Sequence, residues 1–346
     1  MRYGKTLKIL LVLTLNLVIF FLTHNADAEE LSGKYINNPD VNKFIDEMVK
    51  KHGFKKEYLE DIFSKTKVIK KAKVLMSNPA ERKNTWEIYR NNMMHEIRVK
   101  NGIKYYKKYK NELEKAELKY GVPPHIIVGI IGVETNYGTS LIKYSAMDTI
   151  ATFAFFYPRR ADYFKRELEA LFLFARKIDE NPLSIKSSYA GAVGIPQFMP
   201  SNVLTYAVSG TGSNKIDIVN NNLDAIFSVA NFIKKKKWIK GQPVALKVKV
   251  KGNQYKKYFT DSMCKDKMYT VKQLRRAGVI FPHSVSDDLK AILYSVEGKD
   301  GVEIHAAFHN FCSIFRYNPS RHYVMGVNVL GHTVAAHAGE PVLLSK

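Results

Sequence analysis

Cysteine, long apolar runs and phosphate-binding glycine patterns are all scarce in this chain of 346 residues. Only two cysteines occur, Cys264 and Cys312, and no pair of histidines or cysteines has the spacing of a zinc site. The glycines at positions 210–215 have the wrong spacing for a phosphate loop, which argues against a nucleotide-binding protein. No internal repeat or low-complexity linker interrupts the chain. We therefore expect neither a metal ion nor another cofactor.

The longest apolar stretch, at positions 9–22, has the features of a secretion signal. Basic residues precede it, and Ala26-Asp27-Ala28 after it is typical of a cleavage site. The stretch is short for a membrane anchor, and no cysteine near the cleavage point is available for a lipid. These features predict a cleaved signal peptide, residues 1–28, and a soluble periplasmic protein, with an uncleaved anchor as the alternative. Export permits a disulfide between the two cysteines, although two buried free thiols are equally compatible.

The chain is strongly basic, with a formal net charge of +22. Such a charge attracts polyanions, which include nucleic acid and carboxylate-bearing polymers. The secretion signal argues against nucleic acid as a partner. The lysine run at 234–237 is interpreted as a solvated helix end rather than a binding patch, because the basic residues are mostly scattered lysines.

Residues 123–138 combine an apolar helix with a single carboxyl group. Two adjacent prolines are typical of a helix start, and the residues that follow are apolar on every face, which predicts a helix buried in the domain. Gly129 and Gly132 cost helix stability and therefore indicate that another backbone packs closely. Gly138 is predicted to close the helix.

Glu134 lies in the last turn of this predicted helix. Desolvation and the negative end of the helix dipole both disfavour its ionised form, so we expect its pKa to be raised. A carboxyl group that keeps its proton at neutral pH suits a general acid facing a glycosidic oxygen. The alternative is a structural ion pair, for example with Arg159 or Arg160.

A second segment, residues 187–200, is a Gly- and Ser-rich turn that would bring backbone and small hydroxyls close to a ligand. Such a loop alone is weak evidence for a site. Neither segment supplies a second acid, and the nearest ones downstream of Glu134 are Asp148 and Asp162, whereas ordinary glycosidases usually need two carboxyl groups. The sequence fits an enzyme that cuts sugar chains with one acid, although a partner carboxylate from elsewhere in the fold is also compatible.

Five groups of motifs after residue 35 carry a family resemblance. They are Tyr120-Gly121-Val122-Pro123-Pro124 through Gly138, Tyr157-Pro158-Arg159-Arg160-Ala161-Asp162-Tyr163-Phe164, the loop at 188–201, Asp224-Ala225-Ile226 with Ser228-Val229-Ala230-Asn231, and Arg316-Tyr317-Asn318-Pro319-Ser320. In this order they resemble the membrane-bound lytic transglycosylase B family, glycoside hydrolase family 103, which acts on bacterial peptidoglycan. The resemblance implies cleavage of the β-1,4 bond between N-acetylmuramic acid and N-acetylglucosamine without water, giving a 1,6-anhydro product. It also places the single catalytic acid and base on Glu134.

The same resemblance implies the substrate-binding residues. Six are expected around the acid: Ser188, Gln197, Tyr317, Asn318, Arg159 and Arg160. The serine would orient the acid or the N-acetyl group of the substrate, and the two amide side chains would hydrogen-bond sugar. The arginines would face lactyl or peptide carboxylates through a bidentate geometry that lysine lacks.

Two features depart from the family pattern. Phe232 stands where the family often has tyrosine, so a hydroxyl contact is lost there. Some family members carry an EF-hand-like cation loop at the position of residues 209–217, which here contain one carboxylate, Asp217, and one lysine, Lys215. Because calcium needs several oxygen ligands, we expect no tight calcium site.

Hydrophobic periodicity predicts a mainly α-helical α+β fold with a small antiparallel β subdomain. The family resemblance implies that the helical part is a lysozyme-like catalytic domain. Helical spacing is clear at 38–120, 161–179 and 223–237, and a further helix is expected at 322–337. Strands are expected at 244–250, 290–296 and 306–315. The predicted units are a catalytic domain at 29–241, a β subdomain at 242–316 and a segment at 317–346 that returns to the catalytic domain.

Two other functions stay open at this point. A hydrolytic muramidase would use the same Glu134 with water, and a non-catalytic cell-wall binding or scaffold protein would use it only in an ion pair. Peptidoglycan glycan strands are the expected partner, proteins of cell-wall synthesis or division are further candidates, and a monomer is expected.

Overall fold

The structure, a computed structural model, describes residues 30–31, 34–69, 85–140, 143–260, 262–265 and 267–340. The predicted signal peptide and its cleavage site lie outside the described residues. Within these ranges, no helix combines the length and the apolar character that crossing a membrane requires.

Helices make up most of the chain before residue 241. In chain order they are α1 Pro39–His52, α2 Lys56–Lys65, α3 Trp86–Met93, α4 Glu96–Lys108, α5 Lys110–Tyr120, α6 Pro124–Thr135, α7 Ala146–Phe156, α8 Ala161–Ile178, α9 Pro200–Tyr206 and α10 Asn222–Lys235. Helix α1 shows ordinary capping chemistry: the Asn38 side chain accepts the Asp40 N–H at its start, and basic residues occupy its last turn. The helical patterns predicted at 38–120, 161–179 and 223–237 are confirmed within the described residues, and residues 70–84 of the first stretch lie outside them.

Two short strand pairs accompany these helices. Strand β1, Glu30–Leu31, pairs antiparallel with β2, Val68–Ile69. Strand β3, Tyr144–Ser145, pairs antiparallel with β4, Lys186–Ser187, which leads directly into the Gly- and Ser-rich loop. The second pair therefore fixes where that loop leaves the helical core.

Helix α6 is the buried centre of the helical part, and α13, Arg321–His337, lies directly across it. A Cβ atom on Gly129 would stand 2.3 Å from the carbonyl oxygen of Val327 in α13. In the same way, a Cβ atom on Gly331 would stand 2.0 Å from the carbonyl oxygen of His125 in α6. The close backbone approach predicted from Gly129 is thus confirmed, as is the helix expected at 322–337.

The end of α6 differs from the prediction. The helix stops at Thr135, and Asn136 takes the left-handed cap position, with its N–H bonded to the carbonyl of Gly132. Tyr137 and Gly138 follow with φ of 62° and 79°, so the chain passes through three left-handed residues in a row. The prediction that Gly138 caps the helix is wrong, because asparagine also tolerates this conformation and stands two residues earlier.

The chain from residue 245 to 308 forms the β structure. Its strands are β5 Ala245–Lys247, β6 Lys249–Val250, β7 Tyr269–Thr270, β8 Val279–Ile280, β9 Lys290–Gly298 and β10 Gly301–Phe308, with the short helix α11 Val271–Arg276 between β7 and β8. Four of them form an antiparallel sheet in the order β5-β10-β9-β7, and β6 pairs with β8. The mainly helical α+β class is confirmed, whereas the domain boundaries at 241 and 316 stay a prediction.

Both faces of strand β9 are buried. Ala291 and Leu293 belong to a small apolar cluster within the β structure, whereas Ile292 and Tyr294 between them belong to the main helical core. Because side chains alternate along a strand, the sheet presents one face to its own cluster and the other to the helices. This arrangement seats the β structure on the helical part.

The strand expected at 306–315 is only partly correct. Strand β10 ends at Phe308, and the helix α12, His309–Phe315, follows at once. Periodicity alone does not separate a short buried strand from a short buried helix. The helix is held by Asn310, whose side-chain amide accepts the Ile239 N–H at 2.8 Å and donates to the Gln242 carbonyl at 2.7 Å.

Cys264 and Cys312 form a disulfide, with Cα atoms 5.4 Å apart and 48 positions between them in sequence. The bond joins a loop before β7 to α12. The alternative of two free thiols is therefore excluded.

Substitution of Gly129 by alanine should destabilise the protein by at least about 2 kcal/mol, because the new methyl group overlaps a backbone carbonyl that has no rotamer to change. Gly326→Ala is the matched comparison, since its Cβ would meet only the side chains of Tyr89 and Met93. Gly326→Ala should therefore lower the free energy of unfolding less than Gly129→Ala does. Urea denaturation of both variants measures the difference, and equal stability of Gly129→Ala and the wild type would contradict the close crossing.

Candidate active site

Glu134 is half-buried at the end of α6 and is paired with a tyrosine from α13. The phenol of Tyr323 donates a hydrogen bond to Oε1 of Glu134 at 2.6 Å, across 189 positions of sequence. Tyr323 is buried in the first turn of α13, where Ser320 accepts its backbone N–H. Tyr323 was not among the site residues predicted from the sequence. The sequence feature that could have indicated Tyr323 is Ser320, the N-cap residue, because it determines which residues form the first turn of the helix.

The two tyrosines near the acid keep their protons. Burial raises the pKa of Tyr323 well above its usual value, and the charge of Glu134 raises it further. The pKa of Tyr317 is also raised well above its usual value by burial and by Glu134. Tyr323 is therefore a permanent donor to the carboxylate.

Opposing influences act on the charge of Glu134. The hydrogen bond from Tyr323 favours the ionised carboxylate. The C-terminal end of α6 and the apolar residues of that helix favour the protonated acid. The catalytic role expected for Glu134 stays a prediction.

Within the Gly- and Ser-rich loop, residues 193–198 form a tight turn whose two ends hydrogen-bond to each other. The N–H of Val193 donates to the carbonyl of Phe198 at 2.8 Å, and the reverse bond measures 3.1 Å. Gly194 has φ of 71°, and a Cβ atom there would stand 2.6 Å from the carbonyl oxygen of Ile218. The turn requires glycine at this position for its conformation and for its space.

Ser188 and Gln197, two of the predicted site residues, are half-buried in this loop. The Ser188 hydroxyl oxygen accepts the N–H groups of Ala190 and Ala192, at 3.4 and 3.2 Å, which leaves its own proton to donate. The Gln197 amide nitrogen donates to the Gly194 carbonyl at 2.8 Å, so its amide oxygen is the acceptor it offers to a ligand. Both side chains therefore stabilise the loop and each keeps one polar group for a ligand.

Two hydrogen bonds attach this loop to the rest of the site. The buried hydroxyl of Thr135, next to the acid, donates to the carbonyl of Ile195 at 2.9 Å and accepts the N–H of Gly138 at 3.0 Å. The phenol of Tyr317 donates to the adjacent carbonyl, that of Pro196. The loop is therefore anchored to α6 on one side and to the segment before α13 on the other.

Tyr317 also belongs to an aromatic row beside the acid. Its ring lies nearly parallel to that of Tyr323, with centroids 6.2 Å apart, and meets Phe232 edge-on at 4.7 Å. Asn318 is half-buried next to Tyr317, two residues before the cap of α13. The structure thus brings Ser188, Gln197, Tyr317 and Asn318 onto the two chain segments that meet at the end of α6.

Arg159 and Arg160 have a different setting. They lie exposed in the short 3-10 turn Pro158–Arg160 that follows α7. The Arg160 guanidinium stands over the Tyr163 ring, 4.5 Å from its centroid, which is a cation–π contact. A role in binding substrate carboxylates stays a prediction for this pair.

A half-buried acid at the end of an apolar helix, in a mainly helical fold with a small β structure, defines a lysozyme-like protein. Residues 37–332 match the family described as the transglycosylase SLT domain. The chain belongs to this family, as the resemblance predicted.

The named proteins to which this chain is similar support the assignment to this family. The chain is 38% identical over 325 residues to membrane-bound lytic murein transglycosylase B of Escherichia coli, covering 91% of this chain and 88% of that protein. It superposes on soluble lytic transglycosylase SltB1 of Pseudomonas aeruginosa with a TM-score of 0.82 and 36% identity, covering 87% and 100% of the two chains. The Escherichia coli lytic transglycosylase Slt35 in complex with bulgecin A gives a TM-score of 0.82 and 38% identity over 91% and 99%.

The same Escherichia coli enzyme has also been solved in complex with calcium, with 37% identity and a TM-score of 0.80, covering 91% of this chain and 99% of that one. In the present chain, the carboxylates near residues 209–217 already accept hydrogen bonds from backbone N–H groups. The buried Asp224 accepts the N–H groups of Gly210 and Asp217 at 2.7 Å each, and Asp217 accepts two further backbone N–H groups at 2.9 Å. With Lys215 as the only other charge in this loop, the donor set does not suit calcium.

Replacement of Thr135 by valine should lower kcat about tenfold, because the Ile195 carbonyl loses its donor and the loop loses its link to the helix of the acid. Thr135→Ser keeps the hydroxyl and should keep most of the activity. Thr149→Val is the control: Thr149 is fully buried on α7, and its hydroxyl has no partner among the described residues. Kinetics on purified glycan strands test this, and equal losses for the serine and valine variants would contradict it.

Calcium should not stabilise this protein. A site filled at 100 times its Kd would add about 2.7 kcal/mol to the free energy of unfolding, which a thermal melt detects readily. Melts of the purified chain with EDTA and with millimolar calcium chloride are expected to coincide. A calcium-dependent rise in Tm that disappears in Asp217→Asn would show a site in the 209–217 loop.

Proposed function

We propose that this protein is a lytic murein transglycosylase that cleaves the β-1,4 bond between N-acetylmuramic acid and N-acetylglucosamine, with Glu134 as its single acid and base. Family membership supports the reaction class. The observation that carries the assignment to one residue is the Glu134–Tyr323 pair at the crossing of α6 and α13.

The proposed reaction needs no water. The protonated Glu134 donates its proton to the glycosidic oxygen as the bond from the muramoyl anomeric carbon to that oxygen breaks. The 6-hydroxyl oxygen of the same muramoyl residue then bonds to the anomeric carbon, and Glu134 takes the hydroxyl proton. The products are a free 4-hydroxyl on N-acetylglucosamine and a 1,6-anhydromuramoyl end, and Glu134 returns to its starting state.

Tyr323 acts between the two proton transfers of this reaction. Between the two proton transfers Glu134 is a carboxylate, and the phenol of Tyr323 donates to it at that stage. A charge-assisted hydrogen bond of this kind stabilises the ionised form and also fixes the orientation of the carboxyl group.

The substrate contacts belong to the same proposal. The free proton of Ser188 is available to the acid or to an N-acetyl carbonyl. The amide groups of Gln197 and Asn318 bind sugar hydroxyls, and Tyr317 supplies an apolar face for a sugar ring. Arg159 and Arg160 bind lactyl or peptide carboxylates. No cofactor takes part.

A periplasmic location with a cleaved signal peptide is proposed for the mature chain. The basic residues, the apolar stretch and Ala26-Asp27-Ala28 near the N-terminus support this location. The murein substrate named for the Escherichia coli relative also lies in this compartment. A monomer acting on glycan strands, with wall-synthesis or division proteins as further partners, completes the proposal.

Mass spectrometry of soluble products tests the reaction. Residues 29–346 and the Glu134→Gln variant are incubated with peptidoglycan, and the wild type is expected to release muropeptides that are lighter by one water and resistant to borohydride. The variant should be slower by at least about 100-fold, because the proton donor is removed while the shape is kept.

The alternatives predict other products. Reducing ends that borohydride converts would identify a hydrolytic muramidase on the same acid. An absence of products from the wild type, with binding to peptidoglycan intact, would identify a scaffold protein and overturn the proposal.

A further inference from the structure

Lys236 differs from the other lysines of the run at 234–237. Its three neighbours in the run are exposed, whereas Lys236 is half-buried directly after α10. Its ammonium group donates to the phenol oxygen of Tyr206 at 2.7 Å. The same group stands 4.6 Å from the ring centroid of Tyr206 and 5.0 Å from that of Phe232. The interpretation of the run as a solvated helix end therefore fails for this residue.

Contacts connect Lys236 to the acid through the aromatic row. Phe232 lies under the ammonium group and meets the Tyr317 ring edge-on at 4.7 Å. Tyr317 in turn lies parallel to Tyr323, which holds Glu134. The positive charge thus stands at one end of a continuous row of rings whose other end is the acid.

Within the described ranges, the charge of Lys236 has no acidic partner. In the part of the chain that the structure describes, no carboxylate lies within 4.0 Å of its ammonium group. Another cation lies close to this residue: the guanidinium of Arg316 donates to the backbone carbonyl of Lys236 at 3.3 Å. Burying half of an unpaired cation costs free energy, and an anion that binds beside it recovers that cost.

We propose that Lys236 and the Tyr206 hydroxyl form a subsite for a carboxylate of the glycan substrate. The inference rests on the proposed function, because that function defines the substrate as a strand with lactyl and peptide carboxylates next to its sugars. Phe232 offers no hydroxyl at this point of the row, so Lys236 and Tyr206 supply the polar contact here. The subsite adds specificity for acidic strands and takes no part in the proton transfers.

Binding measurements in the Glu134→Gln background test the subsite without cleavage of the ligand. Lys236→Met removes the charge and keeps the methylene chain over the rings, and Lys236→Arg keeps the charge. Lys234→Met is the matched control, since it removes the same charge from the exposed surface of the same helix end. Urea melts establish that all variants are folded.

Four soluble strand preparations serve as probes. Two are acidic: strands with peptide stems, and strands stripped of stems by an amidase so that only lactyl carboxylates are left. The other two are these same strands with all carboxylates amidated. Lys236→Met is expected to raise Kd about three- to tenfold for at least one acidic preparation and to leave binding of its amidated form unchanged. Lys234→Met should change every Kd by less than about twofold. The preparation that shows the loss identifies which carboxylate is bound.

The subsite is overturned if Lys236→Met and Lys234→Met have equal effects, or if the loss persists on amidated strands. These outcomes are separate from failure of the proposed function, which the product assay with intact Glu134 decides. If the wild type releases anhydro products while Lys236→Met binds like its control, only the subsite fails. If carboxylate-dependent binding is lost in Lys236→Met but the wild type releases no products, only the proposed reaction fails.

Discussion

The close crossing of α6 and α13 is the constraint on which the site depends. Each helix carries a glycine where the carbonyl of the other comes nearest, so the two backbones approach more closely than side chains would allow. Glu134 lies at the end of one helix and Tyr323 near the start of the other, and the crossing brings them to hydrogen-bond distance. The small residues thus determine a contact that neither helix could make alone.

A second constraint links three segments that are distant in sequence but meet at the site. The turn at 193–198 offers two successive carbonyls, and one is held from α6 by Thr135 while the other is held by Tyr317 from the segment before α13. Anchoring of this kind holds the loop residues in one arrangement before a substrate arrives. Ordering them during binding would cost conformational entropy, so this rigidity favours tight recognition.

Much of this arrangement could be predicted from local pattern. The apolar faces and the glycines of residues 123–138 indicate a buried helix with a close neighbour, and Glu134 stands out as its only acid. The bond to Tyr323 could not be predicted, because nothing in a sequence sets the relative positions of residues 189 apart. The helix at 309–315 and the disulfide were undetermined for related reasons: both depend on what the segment meets in three dimensions. The four lysines at 234–237 look equivalent in sequence, and only the rings beneath one of them distinguish it.

The disulfide between Cys264 and Cys312 links the maturation of this fold to its surroundings. The bond forms only under oxidising conditions, so the chain lacks this cross-link wherever thiols stay reduced. Closing a loop of this length removes unfolded-state entropy worth roughly 4 kcal/mol at room temperature. The chain is thereby less stable wherever thiols stay reduced, and it gains its full resistance to unfolding only in oxidising surroundings.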